Sequence, residues 1–144
     1  MTKSRFEAGS EALASIDGVG GQAVVDSLKD IAPDLGKWVV EFAFGDIYTR
    51  PQLDPMQREL VTLGSLVTQG DTVPELTVHI NGALNVGISE KQVIEAILQC
   101  VPYVGFPRTI NAVNVARKVF ADRNDNKTGS AKTGSAKTGS AKTE

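Results

Sequence analysis

Residues that cross-link small proteins or bind zinc are nearly absent from this chain of 144 residues. Its single cysteine, Cys100, cannot form an internal disulfide, and together with its single histidine, His79, it is too little for a structural zinc site. No apolar run approaches the roughly 20 residues that span a bilayer, and the N-terminus lacks the continuous apolar segment of a secretory signal. We therefore expect one cytoplasmic domain with a hydrophobic core, without a membrane partner or a metal.

Positive charge is also scarce once the C-terminus is set aside. Residues 127–144 hold four lysines and one glutamate, so residues 1–126 carry 11 basic and 16 acidic side chains. Nucleic-acid binding needs basic clusters that replace the counterions of phosphate groups. The composition therefore argues against a nucleic-acid partner.

The C-terminal residues have the composition of a disordered segment. From Lys127 the sequence KTGSA occurs three times, with no apolar side chain larger than alanine. Such a segment cannot bury enough surface to offset the entropy lost on ordering. The sequence thus predicts one folded domain over residues 1–125 and a disordered tail over residues 126–144.

Apolar residues recur at three- and four-residue spacing through the folded domain, which is typical of helices. The breaks between the apolar segments resemble helix caps: Asp54-Pro55 opens one helix, Gly87 ends another, and Ser89 with Gln92 forms a capping box. We predict an all-α bundle of about six to seven helices. They cover residues 4–16, 21–31 after a loop DGVGG, a segment from Pro33, 55–69, 73–87, 89–104, and a last helix from the GFP break to residue 122.

Two of these helices have apolar stripes. The helix after Pro33 presents Leu35, Trp38, Val39 and Phe42, and the helix from Pro55 presents Met56, Leu60, Leu63, Leu66 and Val67. Glu59 lies on the second stripe, where an isolated ionised carboxylate would be costly. Glu59 is therefore either paired with an arginine such as Arg50 or Arg58, or a buried acid that could act in catalysis.

His79 and Cys100 lie on the buried faces of the next two helices. If the helices form antiparallel hairpins, Glu59 and His79 differ in level by roughly 6 Å, and His79 and Cys100 by about 7.5 Å. The three side chains could thus face one space between helices. A hydrogen-bonded core histidine and an inert buried cysteine would explain the same positions, so both a catalytic and a structural role stay open.

Four stretches carry a resemblance to a known family: DIAPDLGKWVVEFAFGDIYTR, RPQLDPMQREL, LTVHINGALNVGISEKQVIEAILQ and YVGFPRTINAV. In this order they resemble the carboxymuconolactone decarboxylase family, over most of residues 6–122. The resemblance implies an alkylhydroperoxidase AhpD-like helical bundle assembled as a homo-oligomer, a trimer or a hexamer. The peroxidase branch has a Cys-x-x-Cys that ends four residues before the histidine, where this chain has Thr72 and Glu75. The decarboxylase branch therefore matches, and its glutamate and histidine correspond to Glu59 and His79.

The resemblance also implies an activity. It predicts a cofactor-independent lyase that removes CO2 from a small carboxylated lactone such as γ-carboxymuconolactone, in the catabolism of aromatic compounds. His79 would donate a proton to carbon, and Glu59 would either hydrogen-bond the developing oxyanion or, if ionised, orient His79. The predicted substrate-binding residues are Arg58 or Arg108, which would hold a carboxylate, with Cys100 and Tyr103.

Two other functions remain open on the sequence. A redox protein that uses Cys100 alone would need a thiol of depressed pKa. A non-catalytic oligomeric protein that binds a ligand would use Glu59 and His79 for stability only.

Overall fold

The computed structural model describes residues 2–134, and helices account for their regular structure. The elements in chain order are α1 (Arg5–Ile16), α2 (Gly18–Ser27), α3 (Pro33–Trp38), a π-helical segment (Val39–Tyr48), α4 (Pro55–Gln69), α5 (Val73–Asn85), α6 (Glu90–Gln99), α7 (Val101–Val104) and α8 (Phe106–Gly134). No strand occurs within these residues, so the predicted all-α bundle is confirmed. None of the described helices combines the length and the apolar character needed to cross a bilayer.

Three helices begin at capping boxes. In each, the N-cap side chain accepts a hydrogen bond from the backbone N–H three residues later, whose side chain accepts one from the N-cap N–H. The pairs are Ser4 with Glu7, Asp54 with Gln57, and Ser89 with Gln92. Each cap is worth about 1 kcal/mol, and the predicted bounds of α4, 55–69, are confirmed.

The predicted loop DGVGG is wrong. Asp17 is both the last cap of α1 and the first cap of α2, and Gly18, with φ of +57°, changes the chain direction within one residue. A side chain with a Cβ would be strained at this φ, whereas glycine is not. Asp17, in the turn between α1 and α2, is only 4% exposed.

Three further predicted boundaries differ from the structure. The helix predicted over 21–31 ends at Ser27. The helix predicted over 89–104 is divided at Cys100 into α6 and α7. The last helix extends to Gly134, beyond the predicted end at residue 122, and therefore covers residues 126–134 of the predicted disordered tail. Residues 135–144 lie outside the described part of the chain, and the domain boundary at 125 stays a prediction.

The stripe predicted after Pro33 is not buried: the exposed fractions are 46% for Leu35, 59% for Trp38 and 58% for Phe42. Leu35 and Trp38 belong to α3, whereas Phe42 lies in the π-helical segment, whose i→i+5 hydrogen bonds place more than the 3.6 residues of an α-helix in each turn. Side chains four or five positions apart therefore share a face. Val40 and Phe44 are buried against α1 instead.

α1 and the π-helical segment pack with their backbones in contact. A Cβ on Gly9 would overlap the carbonyl oxygen of Val40, and a Cβ on Gly45 would lie 2.6 Å from that of Arg5. Any larger residue at either glycine would separate the two helices. This close packing fixes α1, and with it Asp17, relative to Tyr48 at the end of the π-helical segment.

The bundle has two hydrophobic cores. The larger one joins α4, α5, α6 and α8 and includes Leu63, Ile80 and Ile97, each completely buried. Burial of such a side chain contributes about 1.5–3 kcal/mol. The smaller core joins α1 to the π-helical segment through Leu13, Ile16, Val40 and Phe44. α5 packs against both α1 and α2, so α4 and α5 present one side to this N-terminal part of the fold.

Candidate active site

Glu59 and His79 meet where α4 packs against α5. The distance from His79 Nδ1 to Glu59 Oε2 is 3.2 Å, and Glu59 is completely buried. The predicted alternative, an ion pair between Glu59 and Arg50 or Arg58, is wrong: Arg58 Nη2 donates to the carbonyl oxygen of Arg50, and Glu59 pairs with the imidazole. The structure thus brings together the two side chains on the apolar faces of α4 and α5.

Asp17 is a third member of this group, and sequence reasoning missed it. Its Oδ1 lies 3.7 Å from His79 Nδ1, and its side chain is 3% exposed. The position of Asp17 is fixed from α5, because the Asn85 side-chain amide donates a hydrogen bond of 2.9 Å to the carbonyl oxygen of Ile16. A signal in the sequence was Gly82, one helical turn after His79 and on the same face of α5.

Gly82 makes room for both carboxylates. A Cβ at this position would lie 2.6 Å from Asp17 Oδ1 and 3.3 Å from Glu59 Oε2. Glycine in the middle of a helix costs about 0.5–1 kcal/mol relative to alanine. Glycine is nevertheless required at this position, because a larger residue would prevent the two acidic side chains from approaching this turn of α5.

Burial and neighbouring charges shift the pKa values of the group. Burial raises the pKa of Asp17 to about 6, because the positive charge of His79 only partly opposes it and the negative charge of Glu59 adds to it. Burial alone would lower the pKa of His79, but the hydrogen bond with Glu59 and the charges of Asp17, Glu59 and Glu75 raise it above its usual value. Asp17 and His79 therefore retain their protons to a higher pH than the same side chains in water.

Two acceptor atoms in the group lack partners. Asp17 Oδ1 and Glu59 Oε1 are buried side-chain oxygens that accept no hydrogen bond in the structure. An unpaired buried carboxylate oxygen is unfavourable, so a cation or a proton is needed at this point.

The group opens onto a cavity of about 580 Å³, hereafter the site cavity. His79 and Asp17 line it, whereas Glu59 is not on its wall. Apolar side chains make up most of the remainder, among them Leu13, Val39 and Phe44. Two hydroxyl groups that line the cavity, those of Tyr48 and Thr62, share a 2.8 Å hydrogen bond, and burial raises the pKa of Tyr48 above its usual value.

The two predicted carboxylate-binding arginines lie outside the site cavity. Arg58 lines a recess of about 120 Å³ that shares Tyr48 and Thr62 with the site cavity, and its Nε is buried without a hydrogen-bond partner. Arg108 lines a separate cavity of about 390 Å³, where it contacts Gly70. Among residues 2–134 of one chain, no Lys or Arg lines the site cavity.

Cys100 and Tyr103 also lie away from His79. Cys100 lines a third cavity, of about 500 Å³, together with Met56 and Leu60 from the outer part of the predicted α4 stripe. Burial raises the pKa of its thiol, and its Sγ contacts the carbonyl oxygen of Ala96 at 3.4 Å. Tyr103 is 80% exposed on α7. The structure does not bring these two predicted substrate-binding residues to His79, and their binding role stays a prediction.

A divalent cation would also fit the donor set of the group. One ligand atom each from Asp17, Glu59 and His79 lies within 4.8 Å of the others, the single such group in the described part of the chain. Two carboxylates and an imidazole suit a divalent metal in donor type and charge. Without a cation, bound protons offset the negative charge of the two carboxylates, as the raised pKa values of Asp17 and His79 indicate.

Comparisons with known proteins identify the family of the chain. The model of the carboxymuconolactone decarboxylase family matches residues 33–118, which include Glu59 and His79 but not Asp17. The chain is 35% identical over 112 residues to nitrosuccinic acid decarboxylase of Metarhizium robertsii, covering 76% of this chain and 78% of the relative. It is 33% identical over 98 residues to 4-carboxymuconolactone decarboxylase of Acinetobacter baylyi, covering 68% and 72% respectively. The chain belongs to the carboxymuconolactone decarboxylase family.

Proposed function

We propose that this protein is a carboxy-lyase that removes CO2 from a small carboxylated lactone of the γ-carboxymuconolactone type without a cofactor. The observation that carries the proposal is the buried Glu59–His79 pair, whose histidine lines a largely apolar cavity. The decarboxylase activities named for the two relatives support the reaction type.

The reaction needs a place for charge and a source of one proton. When the C–CO2 bond breaks, its electron pair passes through the conjugated C=C to the lactone carbonyl and forms an enolate. Protonation of carbon then completes the exchange of CO2 for hydrogen. In the largely apolar site cavity the departing carboxylate is poorly solvated, whereas the CO2 formed carries no charge, so burial favours its loss.

His79 is the proton donor in this proposal. Its raised pKa keeps the imidazolium form available near neutral pH, which suits a general acid. Glu59, as the carboxylate, accepts a hydrogen bond from His79 Nδ1 and so fixes the ring, which leaves Nε2 for the cavity. Glu59 thus orients His79 and does not itself reach the substrate.

The fungal relative indicates a second substrate to test. Its name says that it decarboxylates nitrosuccinic acid. Loss of CO2 beside a nitro group would leave a nitronate, which, like the enolate, carries its charge on oxygen. An enzyme with one proton donor and one site for an oxyanion could accept either acid.

The proposed setting is a cytoplasmic homo-oligomer, a trimer or a hexamer, that acts in aromatic-compound catabolism. Trp38 and Phe42 are 59% and 58% exposed, and such large apolar side chains in one segment are typical of subunit contacts. A neighbouring subunit could also supply the cation for a second substrate carboxylate, since no Lys or Arg in the described part of the same chain lines the site cavity.

The test is direct incubation of the purified protein with γ-carboxymuconolactone, and separately with nitrosuccinic acid, while CO2 release is followed. Wild-type protein should turn over at least one of them, and His79→Ala should abolish turnover while circular dichroism stays that of wild type. Turnover that survives in His79→Ala would exclude His79 as the donor. A wild-type protein inactive on both acids, with both Glu59→Gln and His79→Ala strongly destabilised, would favour the non-catalytic role.

A further inference from the structure

One task in the proposed reaction has no residue assigned to it. The oxyanion formed when CO2 leaves needs a hydrogen-bond donor, and removal of such a donor typically lowers kcat by about 10²–10³-fold. His79 is used to protonate carbon, and Glu59 is not on the wall of the site cavity. The unpaired Oδ1 of Asp17 is inaccessible and faces His79 and Gly82. A further donor must therefore line the site cavity.

Three of the described residues bring hydroxyl groups to the wall of the site cavity: Ser27, Tyr48 and Thr62. The Ser27 hydroxyl is already in use, since it donates to the carbonyl oxygen of Val24 at 2.7 Å. Thr68 of α4 donates to a carbonyl of its own helix, whereas Thr62 of the same helix has the hydroxyl of Tyr48 as its partner, at 2.8 Å. Two hydroxyl groups carry two hydrogens, and their mutual hydrogen bond uses one. The Tyr48–Thr62 pair therefore has one hydrogen left for a ligand.

The Tyr48–Thr62 pair lies next to the Glu59–His79 pair. Thr62 follows Glu59 by three residues in α4, so the two side chains are neighbours on one face of that helix. Glu59 Oε2 in turn lies 3.2 Å from His79 Nδ1. Burial raises the pKa of Tyr48, and the negative charges of Glu59 and Asp17 raise it further, as expected for a hydroxyl close to both. Tyr48 therefore lies at the end of the site cavity where His79 would protonate carbon.

Tyr48 is fixed at both its ring and its hydroxyl. The ring stacks on that of Phe44, with centroids 4.7 Å apart and an interplanar angle of 22°. Phe44 is itself buried in the smaller core, against α1. The hydroxyl is held by Thr62. A donor that is already in place needs no reorganisation when charge develops on the substrate, which is what makes such donors effective in catalysis.

We propose that Tyr48 is a catalytic residue of the proposed decarboxylation, in which Thr62 donates to the Tyr48 oxygen and the Tyr48 hydroxyl donates to the oxyanion of the substrate. The inference rests on the proposed function and adds a residue to it. Tyr48 keeps its proton throughout. The C–CO2 bond breaks, its electron pair moves to the lactone oxygen, His79 delivers one proton to carbon, and water returns one to His79.

The acidity of the two hydroxyl groups decides which of them faces the oxyanion. A phenol has an ordinary pKa near 10 and is a much stronger acid than the alcohol of threonine, so it is the better donor to a negatively charged oxygen. The alternative acceptor for the Tyr48 hydrogen is Glu59. Its Oε1 accepts no hydrogen bond in the structure, and its Oε2 is paired with His79. The Tyr48 hydrogen is therefore available to a substrate.

Removal of single hydroxyl groups tests the assignment. Tyr48→Phe keeps the stacked ring and should lower kcat about 10²–10³-fold with little change in KM. Thr62→Val removes the donor to Tyr48 at nearly constant size and should lower kcat about 3–10-fold. Thr62→Ser, which keeps a hydroxyl, should behave as wild type. Thr68→Val removes an exposed hydroxyl from the same helix and is the matched control, with wild-type kcat.

The double variant Tyr48→Phe/Thr62→Val separates positioning by Thr62 from a general structural effect. If Thr62 acts through the Tyr48 hydroxyl, the double variant should be no slower than Tyr48→Phe alone, whereas a structural effect of Thr62 would lower kcat further and contradict the proposed positioning. Wild-type kcat in a folded Tyr48→Phe would overturn the assignment. A loss in Thr62→Val larger than that in Tyr48→Phe would also overturn it, because Thr62 would then be the donor to the oxyanion.

A binding measurement separates failure of this inference from failure of the proposed function. Loss of the CO2 next to the nitro group of nitrosuccinic acid would give the nitronate of 3-nitropropanoate, which can be prepared in base as an analogue of the intermediate. His79→Ala lacks the proposed proton donor and should hold this nitronate without protonating it. In calorimetry, His79→Ala should bind the nitronate about 10–100-fold more tightly than His79→Ala/Tyr48→Phe does. 3-Nitropropanoate itself, which has no oxyanion at the nitro group, should bind both proteins alike.

The two failures give different results. A nitronate affinity that Tyr48→Phe leaves unchanged, absence of binding included, overturns the inference whether or not the wild type decarboxylates either acid. Nitronate binding that depends on Tyr48, in a wild-type protein inactive on both acids, refutes the proposed function and the catalytic role of Tyr48 with it.

Discussion

Replacement of Asp17 by asparagine should make the stability of the protein less dependent on pH. The folded protein holds the pKa of this carboxyl at about 6, against an ordinary value of 3.8, so folding binds a proton between these two values. Because the folded state binds more protons than the unfolded chain there, the free energy of unfolding of the wild type falls as the pH rises. A shift of this size corresponds to about 3 kcal/mol, since each pKa unit is worth 1.36 kcal/mol.

Urea denaturation at pH 4.5 and at pH 7.5, at one protein concentration, measures the effect. About 1 kcal/mol of the loss of about 3 kcal/mol in wild-type stability has already occurred at pH 4.5. The free energy of unfolding of Asp17→Asn should therefore rise relative to that of wild type by about 2 kcal/mol between the two pH values. Asp30→Asn, at an exposed carboxylate after α2, should show no such change. A gap that stays constant, or widens in favour of wild type, would show that Asp17 is ionised and stabilised in the fold and would refute the reasoning.

Three other results follow from the site. Gly82→Ala should cost about 1–3 kcal/mol in chemical denaturation, because its Cβ would lie 2.6 Å from Asp17 Oδ1, whereas Gly64→Ala, with its nearest neighbour at 4.0 Å, should be neutral or stabilising. Burial lowers the pKa of His79, whereas the hydrogen bond to Glu59 raises it. Glu59→Gln should therefore lower the pKa of this histidine, the single one in the chain, as measured by NMR. An unchanged pKa would contradict the pairing of Glu59 with His79. Burial raises the pKa of Cys100, so iodoacetamide should alkylate it more slowly than a free model thiol at pH 7; faster reaction would revive the redox hypothesis.

Local signals predicted the helices around the proposed catalytic pair. Asp54-Pro55 and Ser89 with Gln92 are capping sequences whose geometry depends on neighbours within one turn, and α4 and α6 begin where these residues indicate. The predicted hairpin of α4 and α5 gave Glu59 and His79 levels that differ by roughly 6 Å, close enough to share one space, and the structure has His79 Nδ1 3.2 Å from Glu59 Oε2. The same reasoning did not hold for Cys100, which lines a different cavity from His79.

Asp17 was missed because its environment comes from distant parts of the chain. It lies in a glycine-rich stretch that looks like a surface loop, 42 residues before Glu59 and 62 before His79. Its burial depends on the turn at Gly18, on the Asn85 hydrogen bond and on the space left by Gly82. None of these contacts produces a periodic pattern around Asp17 itself.

The exposure of the stripe after Pro33 could not be predicted from its spacing for a different reason. Leu35, Trp38 and Phe42 are spaced for an α-helix, and hydrophobic spacing alone cannot show that a segment will take i→i+5 hydrogen bonds. Close packing of Gly9 and Gly45 against the neighbouring backbone accompanies this geometry. Tertiary contact with α1 is thus part of what determines which side chains of the segment are buried.

The shape of the site cavity depends on the number of residues in the π-helical segment. Val39, Ala43 or Phe44, and Tyr48 line the site cavity at steps of four to five residues, as the wide turns of this segment require. Loss of a single residue between positions 40 and 47 would shift Tyr48 around the helix axis relative to Val39. Insertions and deletions of one residue would thus reshape the substrate pocket of such a protein while leaving every pocket side chain chemically unchanged.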